Sequence, residues 1–126
     1  MANYLLVAIG GALGSVARVW AISVVSSRLG TAFPWGTLVV NTVGSFIIGV
    51  AAGLSFEGRT AISSSTRIFL MAGICGGFTT FSAFSLQTLE LLQQKQWLAA
   101  SANALLSFAL CLVAVWLGYI LADRMR

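Results

Sequence analysis

Four apolar runs follow one another along the chain, and each is long enough to cross a bilayer as a helix, which takes about 20 residues. They predict membrane spans at about residues 4–25, 36–56, 68–92 and 97–121. Short polar segments separate the runs, and the only proline, Pro34, lies in the first of these segments. We therefore expect a single all-α integral membrane domain of four helices, with both termini on one side.

The third run contains the stretch least suited to a continuous helix, GICGGFTTFSAFS from Gly73 to Ser85. Glycine in a helix interior costs about 1 kcal/mol relative to alanine, and threonine loses side-chain freedom there. The pattern therefore predicts a third helix that is broken at mid-membrane. Lipid cannot satisfy the backbone groups that a break releases, so they must face protein, an ion or water. A glycine-rich packing surface in an ordinary helix is the alternative.

Two GxxxG motifs occur in the first two runs, one formed by Gly10 and Gly14 and the other by Gly49 and Gly53. Residues four apart lie on the same face of a helix, and paired glycines there allow a second helix to approach closely. We expect both motifs to mark helix–helix contacts.

Polar residues also recur at four-residue spacing in the second and fourth runs. The two stripes consist of Thr37, Asn41, Ser45 and Gly49, and of Asn103, Ser107 and Cys111. A buried amide such as that of Asn41 must be hydrogen-bonded in lipid. It either joins two helices or offers its NH2 group to an ion.

Arg18 lies about two-thirds of the way along the first run. A charge at that depth is costly unless it reaches the interface or faces a wet cavity. Two interpretations follow: the side chain extends to the nearer membrane surface, or it lines a vestibule that attracts anions.

Composition agrees with a membrane protein, because 59% of the 126 residues are hydrophobic and only 8% are charged, against about 25% charged in soluble domains. The net charge is +4, which we assign to topology and headgroup contact rather than to nucleic acid. On the side of the termini lie Arg59, Arg67, Arg124 and Arg126, and on the other side Arg28 and Lys95. So small a bias allows insertion in both orientations and antiparallel pairing.

The residues available for chemistry do not support hydrolytic catalysis, and we expect the protein not to be an enzyme. Histidine is absent, and the three acids, Glu57, Glu90 and Asp123, fall near the ends of spans. The interior instead holds neutral hydrogen-bond donors, namely Asn41, Thr79, Thr80, Ser82, Ser85, Asn103 and Ser107. Donors without carboxylates suit an anion, and the positive ring edges of Phe81 and Phe84 add to this preference. A small bare anion fits such a slot better than a large one.

Three motifs resemble the Fluc (CrcB) family of fluoride channels. GGFTTFSAFS (Gly76 to Ser85) is similar to its GGLTTFSTFS-type signature, and WGTLVVN (Trp35 to Asn41) is similar to its GTL-x-x-N. GGALGSVAR (Gly10 to Arg18) resembles its glycine-rich first span that ends in Arg. The order and spacing of the motifs agree over almost the whole chain.

The resemblance implies an antiparallel, dual-topology homodimer with two fluoride pores in a bacterial inner membrane. It implies that ring edges of Phe81 and Phe84 contact the ion, with Ser82 beside them, that Asn41 is a pore donor, and that Arg18 lies in the aqueous vestibule. The function implied is passive export of cytoplasmic fluoride, which relieves its toxicity.

The resemblance also implies a structural sodium ion (Na+) at the dimer centre, held by backbone carbonyls of Gly76 and Thr79 from both subunits. Thr37 supports the site near the vestibule, and Asn103 and Ser107 continue the polar track in the fourth span.

Three positions depart from the family pattern. Ala83 replaces the usual Thr, Gln87 replaces a frequent Glu, and Asn103 stands where some members have Tyr. These changes put the conduction rate in doubt but remove neither Phe nor Asn41. Two other functions stay open: a small multidrug-type proton-coupled exporter, which normally carries a Glu in its first span, and a non-conducting membrane subunit.

Overall fold

The computed structural model describes residues 1–55 and 62–125, and nearly all of them are helical. The first half forms two helices, α1 (Ala2–Leu29) and α2 (Trp35–Gly53). In the second half a helical segment occupies residues 64–93, and a last long helix covers Trp97–Arg124. All four stretches are long and apolar enough to cross a membrane. The chain is a multi-pass membrane protein, as the apolar runs predict.

The segment from residue 64 to 93 consists of four pieces. They are α3 (Ser64–Arg67), a π-helix (Ile68–Cys75), α4 (Gly76–Phe78) and α5 (Phe81–Gln93). We call the last long helix, Trp97–Arg124, α6. Ser63 caps α3, because its side chain accepts a hydrogen bond from the Thr66 amide at 3.1 Å. The predicted end of the second span at Phe56 lies outside the described residues, as do the charges of Glu57, Arg59 and Arg126.

The first and last helices are longer than the predicted spans. Each has 28 residues, which is about 42 Å at 1.5 Å per residue, whereas the hydrocarbon core of a bilayer is about 30 Å thick. Hydropathy marks only the part in contact with lipid tails, but helical hydrogen bonding continues beyond it. α1 is capped by Gly30, whose φ of 83° suits glycine and whose amide donates to the Ser26 carbonyl.

The helices pack as two pairs. α1 lies along the π-helix and α4, and α2 lies along α6. A β-carbon at Gly14 would overlap the π-helix backbone, and one at Gly10 would come within 2.9 Å of Gly73 Cα. On α2, β-carbons at Gly49 and Gly53 would meet carbonyl oxygens of α6. The prediction that both GxxxG motifs mark helix contacts is confirmed.

Two residues between α4 and α5 leave the helical conformation. Thr79 has φ −87° and ψ 157°, and Thr80 has φ −152° and ψ 109°, both extended. We call these two residues the break. They divide residues 64–93 into a first half that ends at Phe78 and a second half that begins at Phe81.

The glycines before the break remain helical, which differs from what their helix propensity alone suggests. Gly77 fits against α1 so closely that a β-carbon would overlap the carbonyl oxygen of Gly11. Tight packing of Gly73 and Gly77 offsets the propensity cost of these two residues, whereas the β-branched threonines favour extended backbone. The alternative interpretation, glycines as a packing surface, therefore describes Gly73 and Gly77, and the interruption falls at the threonines.

Candidate functional site

The backbone of the break is held by a side chain from α2. Asn41 Oδ1 accepts a hydrogen bond from the Thr80 amide at 2.7 Å, and Asn41 Nδ2 donates to the Thr80 carbonyl at 3.1 Å. Both backbone groups of Thr80 thus have a partner. The amide NH2 carries two hydrogens, so one of them remains available after the bond to Thr80.

A side chain from α1 reaches the other residue of the break. Arg18 Nη1 donates to the Thr79 carbonyl at 3.1 Å, and this bond is partly buried. The Thr79 side chain is also hydrogen-bonded to the preceding turn, since its Oγ1 donates to the Cys75 carbonyl at 2.8 Å. The sequence predicts that Arg18 either extends to the membrane surface or lines a vestibule. In the structure one of its guanidinium nitrogens is hydrogen-bonded to the backbone of the break.

Thr80 begins the second half of the divided helix. Its Oγ1 accepts a hydrogen bond from the Ala83 amide at 3.2 Å, which is a typical N-terminal cap. The same oxygen lies 3.3 Å from Ser82 Oγ. Either hydroxyl of this pair can be the donor, and the other then keeps its hydrogen for a different acceptor. The break therefore presents neutral O–H and N–H donors.

A cavity of about 550 Å³ opens beside the break, and we call it the break cavity. Among the residues that line it are six of those predicted from the sequence: Asn41, Gly76, Thr79, Phe81, Phe84 and Ser107. The rings of Phe81 and Phe84 lie with centroids 5.4 Å apart and planes at 42°. Phe81 is 79% exposed, so the cavity is open on the side of α5.

Four predicted residues lie elsewhere. Ser82 and Arg18 do not line the break cavity, although both contact the break. Asn103 is buried and its Nδ2 donates to Thr88 Oγ1 at 2.9 Å, which joins α6 to α5. The fourth residue, Thr37, lines a separate cavity.

This second cavity, of about 250 Å³, lies between the α1–α2 loop and the α5–α6 turn, and we call it the end cavity. Thr37 and Gln87 line it, as does the carboxylate residue Glu90. Thr37 Oγ1 and Gln87 Oε1 are buried without a hydrogen-bond partner. Orphaned buried polar atoms are costly, and a polar cavity of this size has room for water that would satisfy them.

The break cavity also contains residues that sequence reasoning did not assign to a site. Ser45 and Cys111 line it, and both continue the four-residue stripes that contain Asn41 and Ser107. The four-residue spacing therefore indicates that Ser45 and Cys111 lie on the same helix faces as Asn41 and Ser107. Phe108 lines the cavity too, but nothing in its position along the sequence distinguishes it from a residue that faces lipid.

Charged and metal-binding side chains are scarce around the break. Within residues 1–55 and 62–125, no group of three His, Cys, Asp or Glu residues is placed to hold a metal ion. The cavity itself combines aromatic rings with a few neutral donors, which can stabilise a small anion.

Comparison with known proteins identifies the family. Residues 5–119 match the family described as CrcB-like protein, Camphor Resistance (CrcB). A protein of Opitutus terrae named fluoride-specific ion channel FluC is 56% identical over 97% of this chain and 93% of its own length. Proteins with the same name from Paramagnetospirillum magneticum (53% identical, 97% of this chain and 96% of the relative) and Thermus thermophilus (50%, 94% and 94%) are also similar. Since the match covers nearly the whole sequence, the chain belongs to the CrcB family.

Proposed function

We propose that this protein is a fluoride-selective passive channel of a bacterial membrane, through which cytoplasmic fluoride leaves the cell. The observation that carries the proposal is the break cavity, in which the Asn41 amide and the Thr80 hydroxyl lie with the rings of Phe81 and Phe84. The names of the relatives, fluoride-specific ion channel FluC, support the choice of ion.

The ion is stabilised in this proposal by several weak, fixed contacts rather than by one strong one. Asn41 retains one N–H after its bond to Thr80, and Thr80 can donate its hydroxyl hydrogen. The edges of Phe81 and Phe84 carry partial positive charge. None of these groups is a full cation, so the affinity for the ion stays low enough for the ion to leave the site, which conduction requires.

Selectivity in this proposal follows from how closely an anion can approach the aromatic ring edges. With centroids 5.4 Å apart, the rings of Phe81 and Phe84 pack against each other, so an anion meets their edges from the cavity, and a small anion approaches those edges more closely than a larger halide. An inside-negative membrane potential then drives the ion outward, by about 2.3 kcal/mol per charge per 100 mV. No bound nucleotide or proton-carrying carboxylate is needed for passive export.

We further propose that two copies pair antiparallel, with the break of each at mid-membrane. In lipid the polar groups around Asn41 and Thr80 need cover from protein, yet the cavity is open where Phe81 is 79% exposed. A second copy closes this side and contributes a second pore. The small difference in the number of Lys and Arg residues between the two sides of the membrane supports insertion in both orientations.

The residues at the break fit the structural sodium ion that the resemblance implies. The Thr80 amide bonds to Asn41, so it is not committed to the carbonyl of Gly76 four residues earlier. The Thr79 carbonyl bonds Arg18 with one lone pair and keeps a second. Neutral carbonyl oxygens are the ligands that a hard cation prefers. Gly76 and Thr79 of both copies would hold the ion, which would offset the negative ends of the first half-helices.

Fluoride efflux from liposomes that contain the purified protein tests the function, with chloride efflux as the comparison. We expect fast fluoride efflux and negligible chloride leak. Phe81→Ile should abolish the efflux, whereas Phe46→Ile, on an exposed part of α2 away from the cavity, should preserve it. Folded protein that shows no fluoride efflux would favour a non-conducting subunit in which Asn41 only joins helices. Efflux that requires a proton gradient would favour the exporter.

A further inference from the structure

Two linked hydrogen bonds connect α6 to the turn of α5 that carries Phe84. Asn103 Nδ2 donates to Thr88 Oγ1 at 2.9 Å, and Thr88 Oγ1 donates to the Phe84 carbonyl at 2.8 Å. A hydroxyl has a single hydrogen, so Thr88 accepts from Asn103 while it donates to Phe84. We call these two bonds, from Asn103 through Thr88 to Phe84, the clasp.

The clasp lies one helical turn beyond the break cavity on both helices. Thr88 follows Phe84 by four residues on α5, and Asn103 precedes Ser107 by four residues on α6. Each pair therefore shares one helix face, and Phe84 and Ser107 both line the cavity. Four residues rise about 6 Å along a helix, so the clasp is close enough to set the separation of α5 and α6 at the cavity.

The rest of the protein holds these two helices with unequal firmness. α6 packs closely on α2, since a β-carbon at Gly49 would overlap the Val115 carbonyl. In α5, by contrast, Leu91 is the sole buried residue. An element with so few buried apolar contacts opens easily, and the bond from the buried Asn103 side chain therefore contributes much of what fixes α5 against α6.

The position of α5 determines where the aromatic rings lie. The ring of Phe84 packs against that of Phe81, with centroids 5.4 Å apart, so a movement of α5 displaces both rings. Ser107 and Phe108 line the same cavity from α6. The separation of the two helices thus sets how closely the ring edges approach an anion in the cavity.

We propose that Asn103 and Thr88 are positioning residues that determine the halide specificity of the cavity. With the clasp intact, α5 stays close to α6 and the cavity excludes a larger halide. Without it, α5 moves away and chloride is admitted, while the donors of Asn41 and Thr80 remain and fluoride still passes. The specificity rests on the function proposed above, whereas the clasp itself does not.

The first test compares chloride and fluoride efflux from liposomes. Thr88→Val removes the hydroxyl at nearly constant shape, and we expect chloride efflux relative to fluoride efflux to rise about tenfold, or about 1.4 kcal/mol of lost discrimination. Asn103→Ala should raise the ratio too. Thr88→Ser keeps the hydroxyl and should keep the wild-type ratio. Thr42→Val is the matched control, because the Thr42 hydroxyl donates to the Leu38 carbonyl of its own helix.

The double variant Asn103→Ala with Thr88→Val distinguishes the clasp from two separate packing defects. Both substitutions break the same clasp, so the double variant should raise the ratio no further than the larger single effect. Additive effects would overturn the proposal. A wild-type ratio in both single variants, or an equal rise in Thr42→Val, would overturn it as well.

Hydrogen exchange measures the clasp without any ion flux. In Thr88→Val and in Asn103→Ala we expect the amides of residues 86–93 to exchange faster than in the wild-type protein, with those of α6 unchanged. Unchanged exchange in α5 would overturn the clasp, whatever the flux. A wild-type protein without fluoride efflux would instead overturn the proposed function and with it the specificity, while faster exchange in α5 would still support the clasp.

Discussion

Asn41 and Thr80 are joined by two hydrogen bonds, in which the side-chain amide of Asn41 pairs with both the amide and the carbonyl of Thr80 at 2.7 and 3.1 Å. The pair replaces, through a side chain of α2, part of the hydrogen bonding that the helix loses at the break. It also fixes the orientation of the Asn41 amide towards the break cavity. One residue thus holds the backbone and presents a donor.

Asn41→Asp separates these two roles. A carboxylate can still accept from the Thr80 amide, but it cannot donate to the Thr80 carbonyl or to an anion. We expect fluoride efflux to be lost and the free energy of unfolding to fall by about 1–3 kcal/mol. Liposome flux and chemical unfolding of the same preparation measure both effects. Full flux in this variant would remove Asn41 from the ion path.

Thr37→Val tests the end cavity. The Thr37 hydroxyl is buried without a partner, so an isosteric apolar side chain should leave the free energy of unfolding within about 0.5 kcal/mol of wild type, or raise it. If ions or their water pass this hydroxyl, fluoride flux should fall. Thr42→Val is the matched control, because the Thr42 hydroxyl only donates to the Leu38 carbonyl of its own helix. Equal flux in the two variants would exclude Thr37 from the path.

Asn103→Ala tests whether the polar residues of α6 serve packing or conduction. Asn103 is 1% exposed and donates to Thr88, so its loss should lower the free energy of unfolding by about 1–2 kcal/mol. We expect flux per folded protein to be retained, since the side chain does not line the break cavity. Ser101→Ala, at an exposed position of the same helix, is the control for stability. Lost flux with unchanged stability would place Asn103 in the ion path.

Gly14→Ala tests the crossing that brings Arg18 to the break. The added β-carbon would overlap the Ile74 carbonyl, and overpacking of this kind costs about 1–3 kcal/mol. We expect a lower unfolding temperature and faster exchange of the Thr80 amide. Gly11→Ala is a close control, because a β-carbon at Gly11 meets nothing within 4 Å. An equal decrease in unfolding temperature in both variants would mean that the effect comes from replacing a glycine in α1 and not from the close crossing at Gly14.

Much of the candidate site can be predicted from local sequence. The signals were the propensity minimum between Gly73 and Ser85 and the four-residue stripes that contain Asn41 and Ser107. Asn41 and Ser45 of one stripe, and Ser107 and Cys111 of the other, line the break cavity, because residues on one face of a helix stay together whatever the helix packs against. Asn103 belongs to the same stripe as Ser107 but donates a hydrogen bond to Thr88 instead of lining the cavity. Periodicity alone does not distinguish these two kinds of position.

Local patterns were enough to predict the four apolar helices, the segment that contains the non-helical residues, and the glycines that lie at helix contacts, since hydropathy, propensity and side-chain size are local properties. The position of the interruption at Thr79 and Thr80, and its hydrogen bonds to Asn41 and Arg18, became known from the packed helices. These partners are 39 and 61 residues away along the chain. Contacts over such separations depend on how α1 and α2 cross the third segment, and no pattern within one helix encodes a crossing.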